Sequence, residues 1–310
     1  VVDEIDKTRG YRPELDQIVI TPGLKPGIFF TMLATVNPGD EVIYPDPGYP
    51  TYGSVSSFLQ AKKVMVPLVE ENEFRMNPDD VKDRITKKTK LLVLNSPQNP
   101  TGSVMTKKEM DEIAELAEIN DFFIVSDEIY SKMTYDTRHY TPTVRDEAKE
   151  RTILLDGFSK YYAMTGWRLG YMVTPVKLAK RLQDFLVSAI SCTASFTQYA
   201  GIQALTGDQG FIDEMMQRFH EKRDRIVNGL NSISGFSCTP PKGAFYAFVN
   251  IKQTGMSAQK CADHLLYKAG VAALPGTAFG PFGEGYLRFS YATSLDIIDE
   301  AIESIKESFQ

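Results

Sequence analysis

The chain has 310 residues, 43% of them hydrophobic and 24% charged, which is the length and composition of a globular protein with a large core. Its 34 basic and 40 acidic residues give a net charge of −6, so we expect no binding of nucleic acid or anionic membrane through bulk charge. No run of 18 apolar residues is present, so we also expect no membrane span.

The cysteines and histidines are few and widely separated. Cys192, Cys238 and Cys261 suggest neither a disulfide framework nor a metal site, and the three histidines have no metal-ligand spacing. The sequence shows no signal peptide. These features predict a cytoplasmic protein without a metal site.

The first predicted element is a charged, helix-like segment, "VVDEIDKTRG", in which Val1 stands. We interpret residues 1–14 as the remnant of an N-terminal helix cut from a longer chain.

Short apolar runs then alternate with amphipathic segments. Thr106 and Glu109 form a capping box, and Asn77 followed by Pro78 is a second helix start. Several of the runs are continuously apolar, as strands covered on both faces are. The six predicted strands are 17–21, 41–45, 63–68, 90–96, 122–128 and 152–158. This alternation predicts an α/β fold with a mostly parallel sheet.

The pattern changes near residue 208. A long helical segment leads into "GAFYAFVNI" (243–251), a helix near 257–268, "YLRFSYA" (286–292) and a final helix. We therefore expect a large domain over 15–222 and a smaller α+β domain over 223–310.

Polar side chains follow one predicted strand after another. The motifs, in chain order, are "PGLKPG", "DPGYPTY", "SPQNPTG", "DEIY" and "SK". Each alone has an ordinary reading as turn, cap or surface chemistry. Because ligands of open parallel sheets bind at the carboxyl ends of the strands, five such motifs in order predict one binding site.

The order and separation of "NSPQNPTG", "SDEIY", "GFSKYYAMTGWRLGY" and "YLRFSYATS" resemble the class I/II aminotransferases. These enzymes have the aspartate aminotransferase fold, known as fold type I, and depend on pyridoxal 5′-phosphate (PLP). The resemblance covers essentially the whole chain, and the lysine motif with its "TGWR" tail is its most specific part. It implies transamination between an α-amino acid and a 2-oxo acid by a ping-pong mechanism.

The resemblance also implies which residues act in catalysis. Lys160 matches the lysine that binds the cofactor aldehyde and then moves a proton at the substrate Cα. Asp127 matches the carboxylate beside the protonated ring nitrogen. Tyr130 and Asn99 match the residues that hydrogen-bond the ring oxygen, and Tyr49 matches the aromatic residue stacked on the ring.

The implied phosphate site combines a helix start with an arginine. Gly23, Leu24 and Lys25 match the turn that opens a helix near Pro26, and backbone N–H groups there can bind phosphate. Ser159 and Arg168 match a hydroxyl and a bidentate arginine that complete this site.

One position departs from the family pattern, because Gly157 stands where many aspartate aminotransferases have a phosphate-binding serine. We therefore expect one hydrogen bond to be absent or replaced.

The substrate site is implied in the same way. Arg288 matches the arginine that clamps the α-carboxylate, which Asn99 also reaches. The family further implies a homodimer with shared active sites, to which a segment before Val1 contributes. Amino acids and 2-oxo acids are the implied partners.

Two other functions remain open on sequence alone. A β-lyase on the same fold would use the same Lys160, Asp127 and Tyr130. The effector-sensing domain of a transcription regulator would carry a DNA-binding part before Val1. The sequence does not identify the amino donor.

Overall fold

The computed structural model describes residues 1–144 and 150–310. Its main sheet has seven strands in the order β1-β7-β6-β5-β4-β2-β3. The strands are β1 Ile18–Thr21, β2 Glu41–Asp46, β3 Lys62–Pro67, β4 Thr89–Asn95, β5 Phe123–Asp127, β6 Thr152–Gly157 and β7 Gly170–Val173. Strands β2 to β6 pair in parallel, whereas β7 is antiparallel to both β6 and β1. The predicted α/β fold with a mostly parallel sheet is confirmed.

Helices cover both faces of this sheet, which explains why its central strands are almost wholly apolar. The capping box of Thr106 and Glu109 forms, and Asn77 caps the helix that Pro78 opens. Among the described residues before 208, the α-helices are Val2–Arg9, Leu24–Thr35, Thr51–Phe58, Pro78–Lys82, Lys107–Asn120, Val176–Ile190 and Ser195–Thr206.

A second, three-stranded antiparallel sheet follows, in the order β8-β10-β9, with its own hydrophobic cluster. Its strands are β8 Tyr246–Asn250, β9 Leu274–Pro275 and β10 Tyr286–Ser290, and its helices are Gly210–Asn231, Ala258–His264 and Leu295–Ser308. The predicted domain boundary at 222/223 lies inside the continuous helix Gly210–Asn231, and the division into domains stays a prediction.

Two local expectations differ from the structure. Strand β7 lies within the "GWRLGYMV" segment, where we predicted no strand. The helix expected near Pro26 begins at Leu24, so that Gly23 is its N-cap. Among the described residues, no helix is long and apolar enough to cross a membrane.

Candidate active site

A cavity of about 400 Å³ lies at the carboxyl ends of the parallel strands and is bounded by residues of β8 and β10 on its other side. Most of the predicted site residues line it. They are Leu24, Lys25, Tyr49, Asn99, Asp127, Tyr130, Ser159, Lys160, Arg168 and Arg288. The remaining predicted residue, Gly23, stands directly before the helix that supplies Leu24 and Lys25.

Asp127 ends β5, beside Asn95 at the end of β4. Its carboxylate is buried and accepts hydrogen bonds from the Tyr52 hydroxyl at 2.7 Å and the Ile129 backbone N–H at 3.4 Å. Burial raises the pKa of Asp127 to about 6, although both donors oppose the rise. Within residues 1–144 and 150–310 no salt bridge joins Asp127 to a basic side chain. A buried carboxylate of this kind can hold the protonated nitrogen of an aromatic ring.

Lys160 lies in the loop that follows β6. Its amine is 5.5 Å from the centroids of the Tyr130 and Phe245 rings. Burial lowers the pKa of Lys160, and the positive charges of Arg288 and Arg168 lower it further. The neutral amine that this favours is the nucleophilic form.

The N-terminus of helix Leu24–Thr35 and the side chain of Arg168 lie together at one end of the cavity. Gly23 has a φ of 82°, which strains any other residue, and a Cβ there would overlap Arg168 Nη2, so a larger residue would displace this guanidinium. Arg168 donates from Nη1 to the Thr165 carbonyl at 2.8 Å. The N–H groups of Leu24 and Lys25 open the helix at the same point. The positive end of the helix dipole and the Arg168 guanidinium therefore lie side by side, an arrangement that suits the binding of a phosphate.

Arg288 reaches the cavity from β10. Its Nη1 donates to Asn99 Oδ1 at 2.9 Å, and its guanidinium carbon lies 4.4 Å from the ring centroid of Tyr246 and 4.8 Å from that of Phe279. Its buried Nε has no hydrogen-bond partner among the described residues. An arginine held by two aromatic faces, with N–H groups to spare, fits a substrate carboxylate.

Six residues that line this cavity were not predicted, and three of them, Tyr52, Asn95 and Tyr246, form side-chain hydrogen bonds with predicted site residues. Tyr52 lies three residues after Tyr49 in the same motif, "DPGYPTY", and this was its only signal. Asn95 joins the backbone of Asn99 and Asp127, because its Oδ1 accepts from Asn99 N–H at 2.9 Å and its Nδ2 donates to the Asp127 carbonyl at 3.0 Å. Tyr246, whose hydroxyl lies 2.8 Å from that of Tyr130, had no signal beyond its place in a predicted strand.

The departure at Gly157 has a steric reason. Gly157 pairs with Gly170 across β6 and β7, and a Cβ at Gly157 would lie 2.9 Å from Gly170 Cα and 3.0 Å from the Leu169 carbonyl oxygen. A serine would need the two strands to separate. Whether another group replaces its hydrogen bond stays a prediction.

The residues therefore fit PLP at both ends: a buried carboxylate for the ring, and a helix N-terminus with Arg168 for the phosphate. The described part of the chain contains no group of three or more His, Cys, Asp or Glu side chains arranged to hold a metal ion.

Comparison with known proteins gives the same assignment. Residues 10–305 match the family model for aminotransferase class I and II. The chain is 41% identical to an aspartate aminotransferase of Pyrococcus horikoshii, over 100% of this chain and 80% of the relative. It is 38% identical to aromatic-amino-acid aminotransferase 2 of Thermococcus litoralis, over 94% of this chain and 75% of the relative.

The fold agrees with solved structures. The crystal structure of an aromatic aminotransferase from Pyrococcus horikoshii superposes with a TM-score of 0.96 at 37% identity, over 99% of this chain and 83% of that one. The structure of an aspartate aminotransferase from Thermus thermophilus with maleate superposes with a TM-score of 0.95 at 32% identity, over 99% of this chain and 80% of that one. The chain thus belongs to the class I and II aminotransferases, enzymes that use PLP to transfer an amino group between an amino acid and a 2-oxo acid.

Proposed function

We propose that Lys160, Asp127 and Tyr130 are the catalytic residues of this aminotransferase and that Arg288 and Asn99 bind the substrate α-carboxylate. The observation that carries the proposal is that all five line one cavity of about 400 Å³. They come from different strands and loops, and they combine a lysine of lowered pKa, a buried carboxylate and a partly unpaired arginine.

The predicted residues in and beside this cavity would also hold the cofactor. Lys160 would bind PLP covalently, and Asp127 would hold its ring nitrogen. Tyr130 and Asn99 would hold the ring oxygen, and Tyr49 would stack on the ring. The residues that would hold the phosphate are Gly23, Leu24, Lys25, Ser159 and Arg168.

The chain's own groups then perform the proton transfer. When bound, PLP supplies an electron-withdrawing ring that stabilises negative charge at the substrate Cα. The incoming substrate amine takes the place of Lys160 on the cofactor, and the freed Lys160 amine would accept the proton that leaves Cα, because burial favours its neutral form. Arg288 fixes the substrate through its carboxylate, so that Cα stays near this amine.

Chemical trapping of PLP on the lysine that binds it tests the assignment of Lys160 as that residue. The holoenzyme is reduced with borohydride and digested, and the modified peptide is identified by mass spectrometry. We expect the cofactor on Lys160 and no trapped cofactor in Lys160→Ala. Lys25→Ala is the matched comparison, because Lys25 lines the same cavity; any cofactor trapped in this variant should still be found on Lys160, even where weaker phosphate binding lowers the amount. Cofactor reduced onto another lysine would overturn the assignment.

A homodimer is also part of this proposal. Phe196, Tyr199 and Ile202 recur at three-residue spacing on helix Ser195–Thr206 and are 72%, 73% and 57% exposed. Phe196 and the exposed Trp167 lie beside the Arg168 end of the cavity. An apolar surface this close to a binding site suits a second copy of the chain.

Sedimentation tests the dimer. Tyr199→Arg should give monomers with weaker PLP binding. Ile119→Arg is the matched control, because Ile119 is 71% exposed on another helix, Lys107–Asn120, and should leave the dimer unchanged. A dimeric Tyr199→Arg variant would exclude this face as the interface.

A cytoplasmic location is the last part of the proposal. It is supported by the three cysteines, Cys192, Cys238 and Cys261, which are all free.

A further inference from the structure

A buried carboxylate outside the cavity accepts hydrogen bonds from residues next to Lys160. Asp156 lies in β6, four residues before Lys160, and is fully buried. Its Oδ1 accepts hydrogen bonds from the Gly157 backbone N–H at 2.7 Å and from the Tyr161 hydroxyl at 3.1 Å. The Lys160 loop spans residues 158–169, between β6 and β7. The two donors stand on either side of Lys160 in the chain, so one oxygen atom of Asp156 contacts the backbone before Lys160 and the side chain after it.

The other oxygen of Asp156 contacts the neighbouring turn and the scaffold. Oδ2 accepts from Ser131 Oγ at 3.2 Å, and Ser131 follows Tyr130 directly. It also accepts from the Tyr171 hydroxyl of β7 at 3.3 Å. The carboxylate therefore connects the Lys160 loop to the turn that presents Tyr130.

Asp156 needs a cation to act as an acceptor on both oxygens, because burial favours its protonated form and a protonated oxygen would donate instead. Arg9 supplies that cation. Its Nη2 lies 2.6 Å from Asp156 Oδ2 and its Nε 2.9 Å from Glu128 Oε2, and its side chain is only 2% exposed. The ion pair is thus shielded from solvent and from salt.

We propose that Asp156, held as a carboxylate by Arg9, is a positioning residue that fixes Lys160 relative to Tyr130. Asp156 does not line the cavity and acts only through the loop and the turn that it joins. The proposal rests on the role proposed above for Lys160.

Two tyrosines give a matched pair of variants. Tyr161→Phe and Tyr171→Phe each remove one fully buried hydroxyl that donates to Asp156, and both keep the aromatic ring for packing. Only Tyr161 belongs to the Lys160 loop. A role confined to fold stability would therefore affect the two variants alike, whereas positioning of Lys160 would separate them. Unfolding in urea records the stability of both.

The first readout is chemical labelling of lysine amines in the full chain after removal of PLP, over a pH series, with the Lys160 peptide quantified by mass spectrometry. In the wild type, burial and the nearby Arg288, Arg168 and Lys25 lower the pKa of Lys160, and Asp127 opposes them. In Tyr161→Phe the Lys160 amine is held less firmly in its buried position and should titrate at a higher pH than in the wild type. Tyr171→Phe should match the wild type.

The second readout uses the holoenzyme. The fraction of PLP trapped on Lys160 by a brief borohydride pulse should fall in Tyr161→Phe and stay at the wild-type value in Tyr171→Phe. Equal labelling profiles in the two variants, whether shifted or not, would overturn the positioning role. Because labelling needs no cofactor, it can support or refute the positioning of Lys160 even where trapping shows that another lysine binds PLP.

Discussion

Replacing Asp127 with asparagine should stabilise the cofactor-free protein while it damages the enzyme. Burial raises the pKa of Asp127 from 3.8 to about 6, so the folded chain is penalised for holding this carboxylate ionised. A shift of roughly two units corresponds to ~3 kcal/mol at 1.36 kcal/mol per unit. Asparagine has no charge to bury and can still accept from the Tyr52 hydroxyl, so most of that penalty should disappear.

The sign and the pH range follow from proton linkage. The folded-state pKa lies above the unfolded value, so the penalty is absent below about pH 4, grows as the pH rises and is complete above about pH 6. Asp127→Asn should therefore be more stable than the wild type by ~3 kcal/mol at pH 7 and by about half as much near pH 5.

Urea unfolding of the PLP-free variants at both pH values measures this difference. Asp184→Asn, on the exposed side of helix Val176–Ile190, is the matched control and should change little. A variant of Asp127 that is less stable than the wild type at pH 7, or a gain that does not depend on pH, would refute the reasoning. With PLP bound, the same variant should lose turnover, because a neutral amide cannot stabilise the charged ring nitrogen.

Three further outcomes are expected. Tyr52→Phe removes the 2.7 Å hydrogen bond to Asp127 and should raise the pKa of that carboxyl by ~1–2 units in the cofactor-free chain. NMR titration of the Asp127 carboxyl measures this change, and an unchanged pKa would exclude the role of Tyr52. Arg288→Lys should raise the Kd of the amino acid at least tenfold more than the Kd of PLP, because a lysine ammonium cannot replace the two N–H groups with which arginine binds a carboxylate. Equal increases in the two Kd values would mean that Arg288 has only a structural role. Gly23→Ala should weaken PLP binding, measured by fluorescence titration, because its Cβ displaces Arg168; unchanged affinity would contradict this phosphate site.

The sequence allowed the large sheet and most of the cavity to be predicted, because both depend on local patterns. Continuous apolar runs marked the strands, and the residues after them, such as Asp127 and Lys160, had to meet at one edge of a parallel sheet. The antiparallel β7 was missed because four residues between a turn and a loop carry too little pattern to indicate a strand.

Other parts of the site depend on contacts between distant segments. Arg9 lies in a charged stretch that reads as an exposed helix, yet its partners Glu128 and Asp156 are 119 and 147 residues away, and all three side chains are buried. The contacts of Tyr52 with Asp127 and of Tyr246 with Tyr130 likewise cross long sequence separations. No local periodicity encodes such pairs.

Amino transfer itself is tested most directly by a single-turnover measurement on the holoenzyme. Amino donors are added without an acceptor while the cofactor absorbance, the 2-oxo acid and ammonia are recorded. The donors include aspartate and aromatic amino acids, for which the relatives are named. We predict one equivalent of 2-oxo acid per bound PLP, no ammonia, and recovery of the original absorbance on addition of 2-oxoglutarate. Continued release of ammonia without an acceptor would contradict transamination and would favour a lyase reaction.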